Sequence, residues 1–595
     1  RYVELGRLFA NFLERGFEIY SGGKPSTPTQ VDVVVTGASL GLPGVDRVFD
    51  DANVERMLRG DQFIDAIPMH LRLAMVDKNI TRLLKTAGGE GRFETIENLA
   101  DVIKLAARAK NLDLVRDFGF PEDRLPALDR VTRLAIGAGI DALRDAGIPL
   151  VMRYKTTTKG TKLPNSWGLP DDMRDDTGVL FSSAFPGYDS LEEIISGFYR
   201  DRIHRERLEE LNSLREQALR LGGAGNGVLE EINRRIASLR TEIEKKPYIF
   251  DRRFLFRVLS MGHSQFAEYI GARGPNTATN GACASGTQAL AMARDWIQTG
   301  RCRRVIVISA DDVTSDNLMG WFGSGFLASG AAATDERVED AATPFDRRRH
   351  GLIVGMGASA MVVESIESAH ERGIRPICQL MNSVVANSAF HGSRLDVGHI
   401  CQVMEKLIAD AEAQWGISRY EIAPQTVFVS HETYTPARGG SASAEVFALR
   451  HVFKDAADQI VVANTKGTTG HPMAVGIEDV VAVKILETGI APPVVNFKEV
   501  DPELGPLNLS KGGPYPVKYA LRLGAGFGSQ ICMTLTRWIP TPDGSRPRPD
   551  SLGYAYRIED QEAWRRWLKR VTGYDTPEIE VVQRTLRTKD QGPPA

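Results

Sequence analysis

Short apolar runs alternate with amphipathic stretches along most of this chain. Val31–Val35 is a β-branched run that ends in Thr36-Gly37-Ala38-Ser39, which predicts a buried strand entering a loop. Strands are predicted at Gly178–Ser182, Val305–Ser309, Ala358–Glu364, Val427–Ser430, Ile460–Ala463 and Gln530–Leu535. Between them, helical spacing of apolar residues predicts helices at Thr132–Ala146, Ala289–Ile297, Ala442–Val452 and Ile477–Thr488. Short apolar strands bounded by helices imply an α/β protein with a mostly parallel sheet covered on both faces. Two successive βα-rich halves suggest packed layers of related topology, without an evident residue-level repeat.

Three segments depart from this alternation. Residues 4–19 read as a short amphipathic helix, followed by a Gly/Pro/Ser/Thr linker at 21–28, so residues 1–30 form a leading helix and linker. Residues 190–221 and 228–246 read as two charged helices joined by a glycine-rich turn, an insertion spanning 190–246. Ser190 and Glu193 suggest a capping box at its start. Leu229, Ile232, Ile236, Leu239 and Ile243 form a coiled-coil seam in its second arm. The insertion is either a self-packed excursion or a docking element. The tail, 541–595, carries a helix near Glu559–Val571 and reads as a linker or surface wrap. The remaining boundaries fall at 31–368 and 369–540, the two halves.

With 595 residues, the chain can bury a large core and hold roughly two to four structural units. A formal net charge of −3 gives no global reason to expect a nucleic-acid partner. No apolar run reaches the roughly 20 residues that span a bilayer. Cys283, Cys302, Cys378, Cys401 and Cys532 are odd in number and show no C-x-x-C spacing, so a disulfide framework or structural zinc is not expected, and a reducing, cytoplasmic setting is. No metal is expected. The chain begins at Arg1 without a signal-peptide pattern or initiator Met, and is expected to be a segment of a longer polypeptide.

The chemistry gathers at three small-residue loops. Cys283 lies in Asn280-Gly281-Ala282-Cys283-Ala284-Ser285-Gly286-Thr287, just before a helix whose positive end would favour a thiolate. His431 follows the run Val427–Ser430, and Lys466 and His471 follow Val461–Ala463. Both histidines thus fall near the C-terminal ends of strands, where open α/β sheets place their ligands. A thiol, two histidines and a lysine so arranged point to acyl transfer through a thioester.

These elements resemble the β-ketoacyl synthases of fatty-acid and polyketide synthesis, members of the thiolase-fold superfamily, over roughly residues 31–540. The resemblance rests on the Cys283 segment, His431-Glu432-Thr433-Tyr434-Thr435, and Lys466 through His471. Pro344-Phe345-Asp346 with Arg349 and Gly351, Gly526-Phe527-Gly528, and Ala142-Leu143-Arg144-Asp145-Ala146-Gly147 support it. It implies a layered α-β-α-β-α core. It also implies a decarboxylative Claisen condensation in which Cys283 carries the acyl group, while His431 and His471 hold the thioester carbonyl of a malonyl-type extender. Lys466 would bias the field and position His471. Backbone N–H groups of Cys283 and Phe527 would form the oxyanion hole, within a gating loop of Gly526, Phe527 and Gly528. Arg347, Arg348, Thr433 and Thr435 would contact the carrier or its phosphopantetheine.

By the same resemblance no cofactor is permanently bound, the substrate arriving on the phosphopantetheine of an acyl carrier protein or on CoA. An acyl carrier protein, neighbouring domains of a multienzyme and a second copy in a homodimer are the implied partners. Several positions depart from the family pattern. Glu432 and Tyr434 replace glycines, His350 stands where an Asp is usual, and Met356 stands where a Glu is common. Lys466 therefore needs another carboxylate, for which Glu445 and Glu478 are candidates. Two other readings stay open: a ketosynthase-like acyltransferase or thiolase without decarboxylation, and a non-catalytic chain-length or scaffold subunit. A thiolase would need a second cysteine, and Cys532 sits in a strand-like run.

Overall fold

A computed structural model of the chain describes residues 31–85, 91–221, 226–435 and 440–594; the leading helix and linker expected at 4–28 lie outside them. The main sheet has ten strands: β1 (Val33–Gly41), β2 (Thr177–Ser182), β3 (Asn276–Thr279), β4 (Arg304–Asp312), β5 (Met356–Ser365), β6 (Cys378–Asn387), β7 (Thr426–Val429), β8 (Val461–Ala463), β9 (Tyr519–Gly526) and β10 (Gln530–Trp538). Their order is β8-β7-β9-β10-β6-β1-β5-β4-β2-β3.

The sheet is mixed, which corrects the expectation of a mostly parallel one. From either edge inward the sequence of pairings is the same. β3, β2 and β4 run parallel, as do β8, β7 and β9, and the next two pairings on each side are antiparallel. The two five-stranded halves join only where Val34 and Val35 face Gln379 and Cys378. The central strands are buried on both faces, and a strand covered on both sides is apolar throughout whichever way its neighbour runs.

Helices complete five layers. Helices α1 (Arg130–Asp145), α2 (Tyr188–Arg220), α3 (Asn226–Lys245), α4 (Gly262–Ile270), α5 (Ser285–Gln298), α6 (Met319–Ala328), α7 (Val397–Trp415), α8 (Ser441–Phe453), α9 (Ile477–Thr488) and α10 (Gln561–Thr572) are those used below. α5 and α9 lie between the halves. Ala289, Leu290, Ala293 and Ile297 of the first, with Ile477, Val480, Val481 and Ile485 of the second, share one core with β1, β4, β7 and β8. α1 and α4 cover the outer face of the first half, and α7 and α8 that of the second. The expected α-β-α-β-α core is therefore present. Every residue of α9 is buried, as a helix sandwiched between two sheets requires.

The insertion is an antiparallel hairpin of α2 and α3. Ile236 is 3% exposed, and Leu229, Ile232, Leu239 and Ile243 are half-buried, so the seam is real. The capping box is not. α2 begins at Tyr188 after Gly187, whose N–H donates to Asp129 (2.7 Å), which leaves Ser190 inside the first turn and Glu193 paired with Arg257 (2.6 Å).

Part of the tail packs against the first half. Trp564, Trp567 and Leu568 of α10 are buried with the α1 core. The buried Arg557 donates to the Thr36 carbonyl (2.5 Å), and the Leu150 and Leu586 backbones hydrogen-bond (2.9 Å).

Candidate active site

Cys283 sits one residue before the N-cap of α5, on a turn closed by Ala284 N–H to Gly281 O and Ser285 N–H to Ala282 O (both 3.1 Å). The buried Ser285 hydroxyl locks that turn, accepting from Gly281 N–H (2.8 Å) and donating to Ala282 O (2.5 Å). Ala282 is left-handed, with φ of 50°, a conformation costing a residue with a side chain about 1 kcal/mol that persists because the surrounding bonds over-determine it. Gly286 allows α5 and α9 to cross at their N-termini: a Cβ there would lie 2.7 Å from Gly476 Cα. Gly526, at the end of β9, presses its strand end onto the same turn, since a Cβ there would lie 2.4 Å from Gly281 O and 3.0 Å from Cys283 N.

His471 and His431 come from the second half. His471 Nε2 lies 2.9 Å from Cys283 Sγ, and the two imidazoles stand edge-on with centroids 5.8 Å apart. Burial, with Lys466 adding to it, lowers His471 to about 3 and holds His431 well below the usual imidazole range. Both are neutral at physiological pH, so each can present one N–H and one lone pair. Burial pushes the Cys283 thiol up to about 11, against the pull of Lys466. The thiol is thus protonated at rest and lies within hydrogen-bond distance of His471 Nε2.

Lys466 and Glu478 form a buried ion pair, so Glu478 supplies the carboxylate that Met356 does not; Met356 is simply a buried residue of β5. Arg522 extends the cluster to Glu478 (3.6 Å) and Asp479 (3.9 Å), and Asp479 accepts from Thr287 (3.1 Å) on α5. Lys466 also donates to the His431 carbonyl (3.3 Å), tying both histidine loops to one ammonium. Glu445 serves the His431 loop instead, accepting from His431 N–H and Ser430 Oγ (both 2.5 Å). Burial raises Glu445 to about 8.

The departures from the family pattern have structural roles. Glu432 is fully buried; it accepts from Tyr434 N–H (3.0 Å) and Ser441 Oγ (2.7 Å) and lies 3.8 Å from Arg349, which also pairs with Asp501 (2.6 Å). Tyr434 keeps the left-handed backbone that a glycine would adopt, with φ of 45°, and its buried hydroxyl donates to Lys466 O (3.3 Å). His350 is partly exposed and pairs with Asp335 (2.6 Å).

A cavity of about 190 Å³ opens onto the cluster. Cys283, His431, His471, Thr433, Thr435, Gly526 and Phe527 line it, with Ala184, Phe185, Phe326, Leu352 and Met473 as an apolar wall and Ser393, Arg394 and Leu395 among the rest of the lining. Lys466 lies behind, and Gly528, beside Phe527, is bonded through its N–H to Gly392 O (2.8 Å). The structure does not bring Arg347 and Arg348 to the cavity. Arg347 pairs with Glu499 (3.1 Å) and Arg348 with Asp346 (2.8 Å). Cys532 is buried in the sheet. Among the described residues no group of acidic, His and Cys side chains forms a metal site. Sequence reasoning missed the wall. Phe185 carried a signal, following the small residues Ser182-Ser183-Ala184 at a strand end, whereas Phe326 and Leu352 carried none.

Comparison with known proteins agrees with this geometry. Residues 217–369 match the family model of the β-ketoacyl synthase N-terminal domain. A 3-oxoacyl-[acyl-carrier-protein] synthase 2 of Staphylococcus aureus is 30% identical over 275 residues, 45% of this chain and 63% of that protein. One from Synechocystis sp. is 28% identical over 253 residues, 41% of this chain and 57% of that protein. The matches therefore span less than two thirds of these relatives. Among solved structures, a β-ketoacyl synthase from Burkholderia phymatum has a TM-score of 0.59 at 18% identity, and the ishigamide ketosynthase/chain length factor 0.58 at 18%; each match covers 86% of this chain and 100% of the other. The fold is that of the ketosynthases. In part of its sequence and in its fold the chain is similar to the β-ketoacyl synthases.

Proposed function

We propose that the chain is a β-ketoacyl synthase that joins an acyl group held on Cys283 to a malonyl-type thioester, with loss of CO₂. The observation that carries this reading is His471 Nε2 at 2.9 Å from the one cysteine thiol among the described residues that line the cavity, with the neutral His431 ring beside it. In the first half-reaction the Cys283 thiol gives its proton to His471 while Sγ attacks the incoming thioester. The Sγ–C bond forms, the carrier's S–C bond breaks, and the proton passes to the departing thiolate. In the second, His431 and His471 donate N–H bonds to the extender's thioester oxygen. The carboxylate leaves as CO₂, its bonding electrons pass to the enolate, and the enolate carbon attacks the acyl carbonyl. The backbone N–H groups of Cys283 and Phe527 would receive the resulting oxyanion. Sγ then departs with the electron pair of the broken bond and takes up a proton from solvent.

No resident cofactor is needed. The phosphopantetheine of an acyl carrier protein, or CoA, would bring both substrates, with Thr433 and Thr435 placed along the cavity to bond it. We assign an acyl carrier protein, neighbouring domains of a multienzyme and a second copy of the chain as partners, in the cytoplasm. Five free cysteines support that compartment. No helix among the described residues is long and apolar enough to cross a membrane.

The test is intact-mass analysis after incubation with acyl thioesters. The parent should gain one acyl group and Cys283→Ala none; an adduct of equal size on Cys283→Ala would remove the nucleophile from the proposal. Release of CO₂ from a malonyl thioester separates this reading from a plain acyltransferase, which would acylate without decarboxylating.

A further inference from the structure

Asp311, near the end of β4, has a fully buried carboxylate that forms no ion pair among the described residues. Its neighbour Asp312, by contrast, pairs with Arg130 (2.5 Å). Asp311 is satisfied entirely by hydrogen-bond donors, and these belong to two separate walls of the cavity. Oδ1 accepts from Ser183 Oγ (2.7 Å) and from the N–H groups of Ala184 (3.2 Å) and Phe185 (3.1 Å). Oδ2 accepts from the N–H groups of Ala184 (3.0 Å) and Ala474 (2.9 Å). Ala184 and Phe185 line the cavity, while Ala474 follows Met473 on the loop that carries His471.

Each oxygen accepts and neither donates, so an amide in this place would turn an NH₂ group toward N–H donors. Ser182 Oγ also donates to the Ala474 carbonyl (2.8 Å), so both polar groups of that residue are tied to the first half. The arrangement has an electrostatic cost. Burial raises Asp311 to about 6, leaving it mostly ionised at neutral pH, and its charge works against a thiolate at Cys283. A negative charge beside a nucleophilic thiol is the wrong sign for activation, which leaves geometry as its contribution.

We infer that Asp311 is a positioning residue that sets the distance between the acyl-side wall, Ala184–Phe185, and the His471 loop, so that an acyl group on Cys283 is held between them. This rests on the acyl-transfer reading above.

The experiment compares two rates at Cys283 in the parent, Asp311→Asn and Ser183→Ala: acylation by a pantetheine thioester, followed by intact mass, and alkylation by iodoacetamide at fixed pH. In Asp311→Asn, acylation should fall by about 10- to 100-fold, because displacements of about 1 Å are that costly. Alkylation should rise, because the opposing charge is gone. General loosening would not move the two rates in opposite directions. Ser183→Ala keeps the charge and removes one donor; acylation should fall severalfold with alkylation unchanged, and this carries the test if Asp311→Asn does not fold. Unchanged acylation in either folded variant, or a parallel fall of both rates, would overturn the inference. A parent that takes no acyl group would instead overturn the proposed function.

Discussion

Lys466 and Glu478 face each other in the interior, 1% and 2% exposed, with the backbone carbonyl of His431 as a further partner of the ammonium. Burial opposes ionisation of Glu478, but Lys466 and Arg522 outweigh it and hold the carboxyl at about 2. Its contribution to stability is therefore complete above the ordinary Glu value of about 4.3 and is lost as pH falls toward 2. Glu478→Gln should cost about 3–5 kcal/mol at neutral pH by leaving the ammonium without its counter-charge. The difference from the parent should narrow as pH drops through that window. Urea midpoints measured against pH check both; a gap that stays constant would sink the account.

The two histidines should act as neutral groups. Replacing either with Ala should lower CO₂ release from a malonyl thioester by about 100- to 1,000-fold, the scale of one lost donor to a developing oxyanion. In labelled protein, the imidazole resonances assigned to His431 and His471 should hold steady between about pH 5 and 8, where an unperturbed imidazole titrates. A midpoint near 6.5 for His471 would contradict the value of about 3.

Glu432→Gly would restore the glycine usual in this motif, yet it should destabilise this protein by about 3 kcal/mol. It removes the acceptor of Tyr434 N–H and Ser441 Oγ together with a buried counter-charge of Arg349. Chemical denaturation is the measurement, and a variant as stable as the parent would show that the loop does not depend on Glu432.

Ile236→Asp places a charge in the seam of the hairpin, where it cannot be solvated without separating α2 and α3. Amide exchange should accelerate across 188–245, with Cys283 acylation unchanged. Loss of acylation would mean that the hairpin supports the site more directly than its packing indicates.

That Cys283, His431, Lys466 and His471 come together was legible because each stands beside small residues near a strand end, where a thiol or imidazole adds little to packing. Glu478 was harder. It lies in the first turn of α9, and only the crossing of α9 beneath Lys466 decides between it and Glu445. Strand direction left no trace, since Val305–Ile308 of β4 and Met361–Val363 of β5 are apolar runs of the same kind though they pair antiparallel. Ser190 and Glu193 have the spacing of a cap, but the bond from Gly187 to Asp129 starts the helix earlier. Phe326 and Leu352 are apolar residues in apolar surroundings, and only tertiary contact distinguishes a cavity wall from a core.

The contact of α5 with α9 at Gly286 and Gly476 has an electrostatic meaning. Each helix end carries the equivalent of about half a positive charge, so the two ends that meet beside the Cys283 turn add to one another. That charge has no proton to release, little salt reaches it in the interior, and Glu478 and Asp479 in the first turn of α9 balance part of it. It offsets part of the burial that keeps Cys283 protonated, and it should persist at any pH at which the protein stays folded. The site is thus given a fixed positive pole made only of peptide bonds, while its histidines remain free to stay neutral.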